Sequence, residues 1–413
     1  MRNRDVLISG AGVAGPALAY WLRRAGFSPT VVERAPAPRD GGQAVDIRGA
    51  AIEVAARTGI LDEVRQARTQ TRGMSYVNAA GKRLASMNAA FGVIDEADVE
   101  IVRGDLARIL YEATRDDVEY IFDDSITGIS EHADAVEVTF ERAPARAFHL
   151  VVGADGLHSN VRAAAFGPEP RFIHHLGLYL AVFTLPNDLG LDRWQLVYAV
   201  PGKSVTVTSA RDNTEARAIF FFASPRLDYD HRDVGKQKAI LADAYAGEGW
   251  EVPRLLAGMR EARDFYFDST SQIRMDSWSA GRVALVGDAG YCPSPLSGQG
   301  TSLALVGAYV LAAELAAADD YRAAFARYQE LMTDFVARNQ QIALGNAKRF
   351  IPATRRQIWL QNQTIRALPY LPWRNLVLNL ATRGVREAAS AITLPEAPSP
   401  RPVLSVPGTV TLE

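Results

Sequence analysis

The stretch Val6-Leu7-Ile8-Ser9-Gly10-Ala11-Gly12-Val13-Ala14-Gly15 turns from an apolar segment of strand character, through closely spaced glycines, into a helical pattern. It is typical of the first strand, turn and helix of a dinucleotide-binding fold. Gly10 makes the tight turn, Gly12 lets the backbone approach a pyrophosphate, and Gly15 lets the helix pack on the strand. The stretch therefore predicts a parallel sheet that binds a nucleotide.

A second apolar strand, Pro29 to Val32, ends at Glu33 and Arg34, and Glu33 lies 18 residues after Gly15. This spacing is close to the roughly 20 residues at which a carboxylate accepts hydrogen bonds from a ribose. The loop 35–42 follows, rich in proline and glycine, on the side of a strand where ligands bind in open α/β sheets. A plain connection is the alternative interpretation of this loop.

Two later strands also end in an acid beside glycines. Leu150 to Gly153 is followed by Asp155-Gly156, and Arg282 to Val286 is followed by Gly287-Asp288. The second of these leads through a stiff loop to an apolar helix, Ser302 to Ala317, whose N-terminal amides favour an anion or an electron-rich ring edge. Three strand-end acids in one chain are more specific together than any single motif.

Arg103 precedes a predicted helix that runs from Leu106 to Ala113, with Asp105 as its N-cap. In this place an arginine can reach a phosphate or the edge of a cofactor ring. A surface salt bridge is an equally good interpretation from spacing alone.

Between residues 172 and 267 the pattern changes to antiparallel strands rich in aromatic residues, which predict a second domain with a broad sheet. Side chains alternate along a strand, so Phe220 and Phe222 point to one face and Ile219 and Phe221 to the other. Only one pair can face a pocket, and aromatic residues in strands are more often ordinary core. The predicted substrate-lining residues are Tyr179, Phe183, Tyr198, Phe220 and Phe222.

Composition disfavours several classes of protein. The 413 residues include 45 Lys and Arg against 47 Asp and Glu, a net charge of −2, which provides no footprint for nucleic acid or an anionic membrane. A lone Cys292 excludes an internal disulfide, and the histidines show no ligand spacing around it, so we expect no metal site. Without a signal-peptide core or an uninterrupted run of about 18 apolar residues, the protein is expected to be cytoplasmic.

The glycine fingerprint and the strand-end acids together resemble those of class A FAD-dependent monooxygenases of the aromatic hydroxylase type. The similarity is greatest to the compact members that inactivate tetracycline, and it extends over roughly residues 5–350. The resemblance implies FAD as the bound cofactor and NADPH or NADH as a transient reductant. One departure is Gly290-Tyr291, which stands where the family usually has Ala-His.

The resemblance also implies roles for matched residues. The glycine fingerprint would hold the FAD pyrophosphate, Glu33 the adenosine ribose, and Asp288 would face the ribityl chain. Arg39, in the loop before Gly41-Gly42, would meet the nicotinamide cofactor, although a solvated loop charge is as good an interpretation. The full set of predicted cofactor-binding residues is Gly10, Gly12, Ala14, Gly15, Glu33, Arg34, Arg39, Asp46, Arg103, Asp155, Asp288, Pro295, Gly298, Gln299 and Gly300.

The chemistry that the resemblance implies is hydroxylation of an aromatic or polyketide-like small molecule through a flavin C4a-hydroperoxide formed with dioxygen. Such oxygen insertion is the cofactor's chemistry, and we assign no catalytic side chain. A flavin-dependent reductase of the same superfamily and a non-catalytic FAD-binding protein are the alternatives. Flavin-dependent halogenases share this fold but carry a Trp-x-Trp-x-Ile-Pro motif. That motif is absent here, because no two tryptophans of the chain are two residues apart.

The expected fold is therefore α/β, with a Rossmann-like FAD-binding domain interleaved with an antiparallel β-sheet substrate domain and followed by a C-terminal helical region. The predicted boundaries are 1–72, 99–171 and 270–319 for the FAD-binding domain, 73–98 and 172–269 for the substrate domain, 320–393 for the C-terminal helices and 394–413 for a proline-rich disordered tail.

Overall fold

A computed structural model describes residues 4–39, 41–88 and 97–397 of the chain. The strands, in chain order, are β1 (Asp5–Ser9), β2 (Ser28–Glu33), β3 (Ala44–Ile47), β4 (Gly73–Val77), β5 (Arg83–Asn88), β6 (Val99–Val102), β7 (Glu119–Phe122), β8 (Ile126–Glu131), β9 (Val136–Phe140), β10 (Arg146–Phe148), β11 (Leu150–Gly153), β12 (Ile173–Pro186), β13 (Trp194–Val200), β14 (Lys203–Ala210), β15 (Glu215–Ala223), β16 (Tyr266–Ile273), β17 (Ser279–Ala280) and β18 (Val283–Leu285).

The helices are α1 (Ala14–Arg24), α2 (Ala50–Thr58), α3 (Leu61–Gln66), α4 (Arg103–Glu112), α5 (Asn160–Phe166), α6 (Val234–Ala244), α7 (Val252–Glu261), α8 (Asp288–Tyr291), α9 (Gly300–Ala317), α10 (Tyr321–Ala347), α11 (Arg355–Ala367) and α12 (Arg374–Ala389). Short 3-10 turns lie at Glu169–Arg171, Pro295–Ser297 and Leu368–Tyr370.

A six-stranded sheet in the order β17-β18-β11-β1-β2-β7 carries the nucleotide-binding motif. β1 pairs in parallel with β2 and β11, while β17 pairs antiparallel with β18. Val6 and Ile8 belong to the core formed with α1 and α9, whereas Leu7 belongs to the core formed with β8 and β9. Because both faces are covered, β1 is apolar at successive positions, and the loops at its carboxyl end lie at one edge.

The helix α9 is the centre of the larger core. It contacts α1, α2 and α10, and nearly all of its side chains are buried. A helix that is apolar all round is expected in such a place. By length and composition α9 is also the one helix of the described ranges that could cross a membrane, yet 72% of it is buried within the protein.

A second sheet has seven strands in the order β16-β12-β15-β14-β13-β4-β5. Its pairs are antiparallel except for β13 with β4, so the hairpin of β4 and β5 joins strands that follow it by a hundred residues. Side chains of α6 and α7, among them Leu241, Tyr245 and Leu255, form a hydrophobic core with one face of this sheet. The strands β3 and β6 form a separate two-stranded pair, and Ile47, Val99 and Ile101 from it belong to the core formed with α1 and α9.

The C-terminal helices pack in sequence on the rest of the molecule. α10 contacts α9, α11 contacts β5 and β13, and α12 contacts α10. Beyond α12, the carbonyl of Pro395 accepts hydrogen bonds from Arg57 Nη1 at 2.8 Å and from the Tyr309 hydroxyl at 2.7 Å. The beginning of the predicted disordered tail is therefore held on the core, and residues 398–413 lie outside the described residues.

Candidate functional site

The glycine loop after β1 is packed so closely that side chains are excluded. Gly10 has a φ of +106°, and a Cβ there would lie 2.6 Å from the carbonyl oxygen of Ala154. A Cβ on Gly15 would lie 1.9 Å from the carbonyl oxygen of Gly10. Ala14, the first residue of α1, is buried behind this turn. The geometry agrees with the turn and packing roles predicted for Gly10 and Gly15.

The Glu33 carboxylate connects the end of β2 to the glycine loop. Its Oε2 accepts a hydrogen bond from the amide of Ala11 at 2.8 Å, and its Oε1 accepts one from the amide of Ala35 at 2.9 Å. The guanidinium of Arg39, 59% exposed, pairs with Oε1 at 3.2 Å. Arg34 is exposed beside it. Arg39 thus lies close to Glu33 and remains open to solvent.

Arg103 lies over the glycine loop. A Cβ built on Gly12 would be 3.5 Å from Arg103 Nη2, and the amides of Arg103 and Gly104 donate to the carbonyls of Gln43 and Gly41. The predicted N-cap at Asp105 is wrong, because α4 begins at Arg103 with Val102 as its cap and Asp105 lies in the first turn. The loop 41–43 therefore docks on the N-terminal turn of α4.

Asp46 lies on β3, opposite Glu100 of β6, and pairs with Arg48 at 2.9 Å. Burial, together with the negative charges of Glu100 and Asp98, outweighs Arg48 and raises the pKa of Asp46 to about 6. A Cβ built on Gly298 would lie 3.8 Å from Asp46 Oδ2. The carboxyl group is thus next to the loop before α9 and titrates near neutral pH.

The other two strand-end acids lie at neighbouring strand ends. Asp155 accepts hydrogen bonds from the Ser9 hydroxyl at 3.3 Å and from the amide of Val161 at 3.2 Å, as well as from the Ser159 hydroxyl. It thus ties β1 to the segment after β11. Burial raises the pKa of Asp288, and the positive charge of Arg103 opposes that rise.

The loop before α9 contains a buried amide that has no partner. Pro295 begins a 3-10 turn, Gly298 follows it with a φ of +64°, and Gly300 begins α9. Gln299 is fully buried, and neither its Nε2 nor its Oε1 has a hydrogen-bond partner within the described ranges. Leaving such a group unpaired costs about 1–3 kcal/mol, so this loop is suited to a polar ligand that both donates and accepts.

These observations fit FAD. The glycine loop leaves room for a pyrophosphate, Glu33 is the carboxylate expected beside a ribose, and the Gln299 amide offers the donor and acceptor that the pyrimidine edge of a flavin requires. Tyr291, at the departure from the family motif, is buried and hydrogen-bonded to the Tyr328 hydroxyl at 2.8 Å, and so belongs to the core.

The predicted substrate-lining residues are not placed towards these loops. Their rings lie on the face of the second sheet that α6 and α7 cover, where the Tyr245 ring packs edge-on against Phe220. The prediction of the substrate-facing side is wrong. The alternation of side chains along a strand shows which residues share a face, but not which face the helices cover. The residues concerned are Tyr179, Phe183, Tyr198, Phe220 and Phe222, all buried. Tyr198 also lines a cavity of about 230 Å³ between β4, β13 and α11.

The opposite face of the same sheet meets the loop after β2 and the loop before α9. On it, Arg217 Nε donates to the carbonyl of Gly42 at 3.3 Å, and Phe221 packs in one cluster with Leu296. Arg217 is buried and pairs with Glu215 at 2.9 Å. Arg217 was not among the predicted site residues. Its position on the same strand face as Ile219 and Phe221 is the sequence feature that could have indicated it.

A second missed feature is an ionic cluster where the two sheets meet. His158, between β11 and α5, contacts Glu169 at 3.0 Å and Asp268 of β16 at 3.1 Å. Burial alone would lower the pKa of His158, but hydrogen bonds and charge from the two carboxylates raise it to about 9. His231 stacks on the His158 ring at 4.4 Å. The sequence alone does not indicate this cluster, because His231 and Asp268 lie far from His158 in the chain.

Comparison with known proteins identifies the family. The family model described as an FAD binding domain matches residues 3–339. A flavin-dependent monooxygenase of Legionella longbeachae is 45% identical over 352 residues, which are 85% of this chain and 90% of that protein. Another, from an unknown prokaryotic organism, is 42% identical over 395 residues, 95% of this chain and 99% of that protein.

The solved structures agree. The crystal structure of the tetracycline destructase Tet(51) matches with a TM-score of 0.85 and 37% identity, covering 95% of this chain and 100% of that chain. Tet(55) matches with a TM-score of 0.81 and 41% identity, covering 95% of this chain and 99% of that one.

The chain belongs to the FAD binding domain family and is an FAD-dependent monooxygenase of mixed α/β fold. Its predicted resemblance to the class A enzymes, and to the compact tetracycline-inactivating members in particular, is confirmed.

Proposed function

We propose that this monooxygenase consumes NADPH or NADH to hydroxylate an electron-rich aromatic or polyketide-like small molecule. The observation that carries the proposal is the half-exposed face of the seven-stranded sheet beside the FAD-binding loops. Arg217 and Phe221 anchor this face to Gly42 and Leu296. A substrate held there would lie between the sheet and the flavin.

The chemistry of that face suits a large, mostly neutral ligand. Apart from Glu215, which pairs with the buried cation Arg217, the partly exposed side chains of this face are apolar or carry a hydroxyl or amide group. Binding would rest on apolar burial at about 25 cal/mol per Å² and on aromatic contact. A small charged acid would call for further basic groups. The side chains concerned are Gln195, Val197, Thr206, Thr208, Ile219 and Phe221.

Bound FAD supplies the redox and oxygen-transfer chemistry of such a reaction. In the balanced reaction one atom of dioxygen is inserted into a C–H bond of the substrate, which becomes C–OH. The other atom leaves as water, and the two electrons come from the reduced nicotinamide together with a proton.

The chain's own residues would bind and orient the reactants. The loop Gly10 to Gly15, with Glu33, would hold the ADP half of FAD, and the Gln299 amide would hold the edge of the ring. Asp46, whose pKa is raised to about 6, can carry a proton on a carboxyl oxygen in slightly acidic solution and then donate a hydrogen bond. The sheet would exclude water from the reacting face.

The test is NADPH oxidation by the purified holoenzyme, followed by flavin absorbance with and without dioxygen, over a panel of phenols, aromatic polyketides and a tetracycline. We expect the flavin to be reduced without dioxygen and reoxidised with it, and one class of the panel to stimulate NADPH consumption with a gain of one oxygen by mass spectrometry. Reduction of a substrate double bond without dioxygen would instead support the reductase alternative. A flavin that never cycles with any reductant would support the non-catalytic one.

A further inference from the structure

The C-terminal helices α11 and α12 carry a concentrated set of exposed hydrophobic side chains. Nine large hydrophobic residues are exposed among those that the structure describes, and seven of them lie between residues 359 and 380. Tyr370 is 85% exposed, Trp359 is 59% exposed and Trp373 is 58% exposed. The seven are Trp359, Leu360, Tyr370, Trp373, Leu376, Val377 and Leu380. Exposed apolar area on this scale marks an interaction surface.

The α12 helix presents an apolar stripe away from the protein. Trp373, Leu376, Val377 and Leu380 recur at the i, i+3, i+4 and i+7 spacing that forms one face of a helix. The protein-facing side is formed by other residues, since Leu378 and Val385, nearly opposite on the helix, are only partly exposed. The helix is therefore apolar both towards the core and towards the surroundings, and among the described residues the outer stripe is exposed.

The charge of the same region has one sign. From residue 335 to residue 386 the chain has nine Lys and Arg residues and no Asp or Glu. On α11, Arg355 and Arg356 are exposed next to Trp359 and Leu360. On α12, Arg374 flanks the apolar stripe, and so does Arg383, which is paired with Glu387 at 2.6 Å. Basic side chains around an apolar helix face rich in Trp and Leu are characteristic of helices that lie in the interface of an anionic membrane.

We propose that the segment from α11 to α12 docks the enzyme on an anionic lipid surface. The apolar stripe enters the boundary between headgroups and acyl chains, and the arginines contact the phosphates. Charge complementarity favours this partner over a second copy of the chain, because two copies would bring like charges together. The proposal departs from the sequence-based expectation of no membrane contact and does not depend on the proposed function.

The experiment is co-sedimentation of the full-length holoenzyme with vesicles of phosphatidylcholine, with and without phosphatidylglycerol. We expect sedimentation with the anionic vesicles only, and less of it as salt is raised, because the Debye length shortens. Arg355→Gln with Arg356→Gln should weaken binding roughly 30-fold, since each Lys or Arg near such a surface contributes about 1 kcal/mol. Leu376→Ser with Leu380→Ser should abolish it.

Matched controls lie on α6, where Val234 is exposed and Lys236 is exposed two residues later. Val234→Ser and Lys236→Gln should leave vesicle binding unchanged, and all variants should keep the flavin content of the parent. Equal binding to neutral vesicles, or no binding to either, would overturn the proposal. So would a dimer, detected by light scattering without lipid, that Leu376→Ser with Leu380→Ser converts to monomer.

Discussion

At the scale of single residues, Glu33 contributes to the chain as well as to a ligand. Its two oxygens accept hydrogen bonds from the amides of Ala11 and Ala35, so the carboxylate fixes the glycine loop relative to the end of β2. Each carboxylate oxygen has a second lone pair; Arg39 takes the one on Oε1, and the one on Oε2 is left for a ribose hydroxyl. The same side chain would therefore shape the site and bind FAD.

Replacing Glu33 with Ala should give protein poorly loaded with FAD whose activity recovers when FAD is added. Charge-assisted hydrogen bonds of this kind contribute roughly 1.5–3 kcal/mol. The ratio of flavin absorbance to protein absorbance after purification measures the loading. Glu63→Ala, at an exposed carboxylate on α3, is the control and should load fully. Full loading of Glu33→Ala would remove this residue from the FAD site.

Arg39→Ala should raise the apparent KM for NADPH and leave FAD content unchanged. The Arg39 side of its ion pair with Glu33 is largely exposed, and pairs with an exposed partner contribute only about 0–1 kcal/mol, so we do not expect the pair to hold FAD in place. Steady-state kinetics with varied NADPH, compared with Arg108→Ala at an exposed position of α4, provide the measurement. An unchanged KM would mean that Arg39 is a solvated loop charge.

At the scale of elements, the two faces of β15 have different roles, because its side chains alternate between the hydrophobic core and the proposed substrate surface. Phe220 and Phe222 pack on the α6 and α7 side, whereas Ile219 and Phe221 point to the side of the FAD-binding loops. One strand therefore carries both the core and the proposed substrate surface.

Phe220→Ala should destabilise the fold by about 3–5 kcal/mol, the usual effect of removing a buried Phe side chain, and thermal unfolding will report it. Ile219→Ala should instead weaken substrate binding with a much smaller loss of stability, seen as a higher substrate concentration for half-maximal NADPH oxidation. The assignment of faces fails if the two variants behave in the opposite way.

The sequence predicts elements better than it predicts their environment. β1, β2, β11 and the acids that follow them could be found because parallel buried strands are short apolar runs. The covered face of β15 could not be found, because it depends on α6 and α7, which follow it in the chain. The start of α4 was missed because Arg103 and Gly104 are held by carbonyls of the distant loop 41–43.

At the scale of the whole molecule, the two sheets are joined by the cluster around His158. His158 belongs to the segment after β11, and Asp268 belongs to β16. Arg162, fully buried, pairs with Glu169 at 3.1 Å and adds a second cation to the cluster. Burial and the charge of His158 lower the pKa of the stacked His231, so that His158 carries the proton of the pair.

The contribution of His158 to stability should depend on pH. Its pKa rises from 6.5 to about 9 in the folded protein, so the protonated form stabilises the fold, by roughly 3 kcal/mol at most. This stabilisation is complete below pH 6.5 and is lost as the pH rises through about 9. The difference in unfolding free energy between the parent and His158→Gln, measured from pH 6 to 10, should shrink accordingly. A difference that stays constant with pH would contradict this account.

The order of the binding loops along the chain has a consequence for biosynthesis. The glycine loop at Gly10 and the loop that ends at Gly300 lie on either side of the second sheet in sequence, and β18 completes the first sheet only after residue 283. At about 5–20 residues per second, a ribosome needs roughly 15 to 60 seconds between the two loops. A nascent chain without a complete cofactor site therefore persists for that time and is open to chaperones and proteases. Flavin can fill the whole site only after Gly300 has been synthesised.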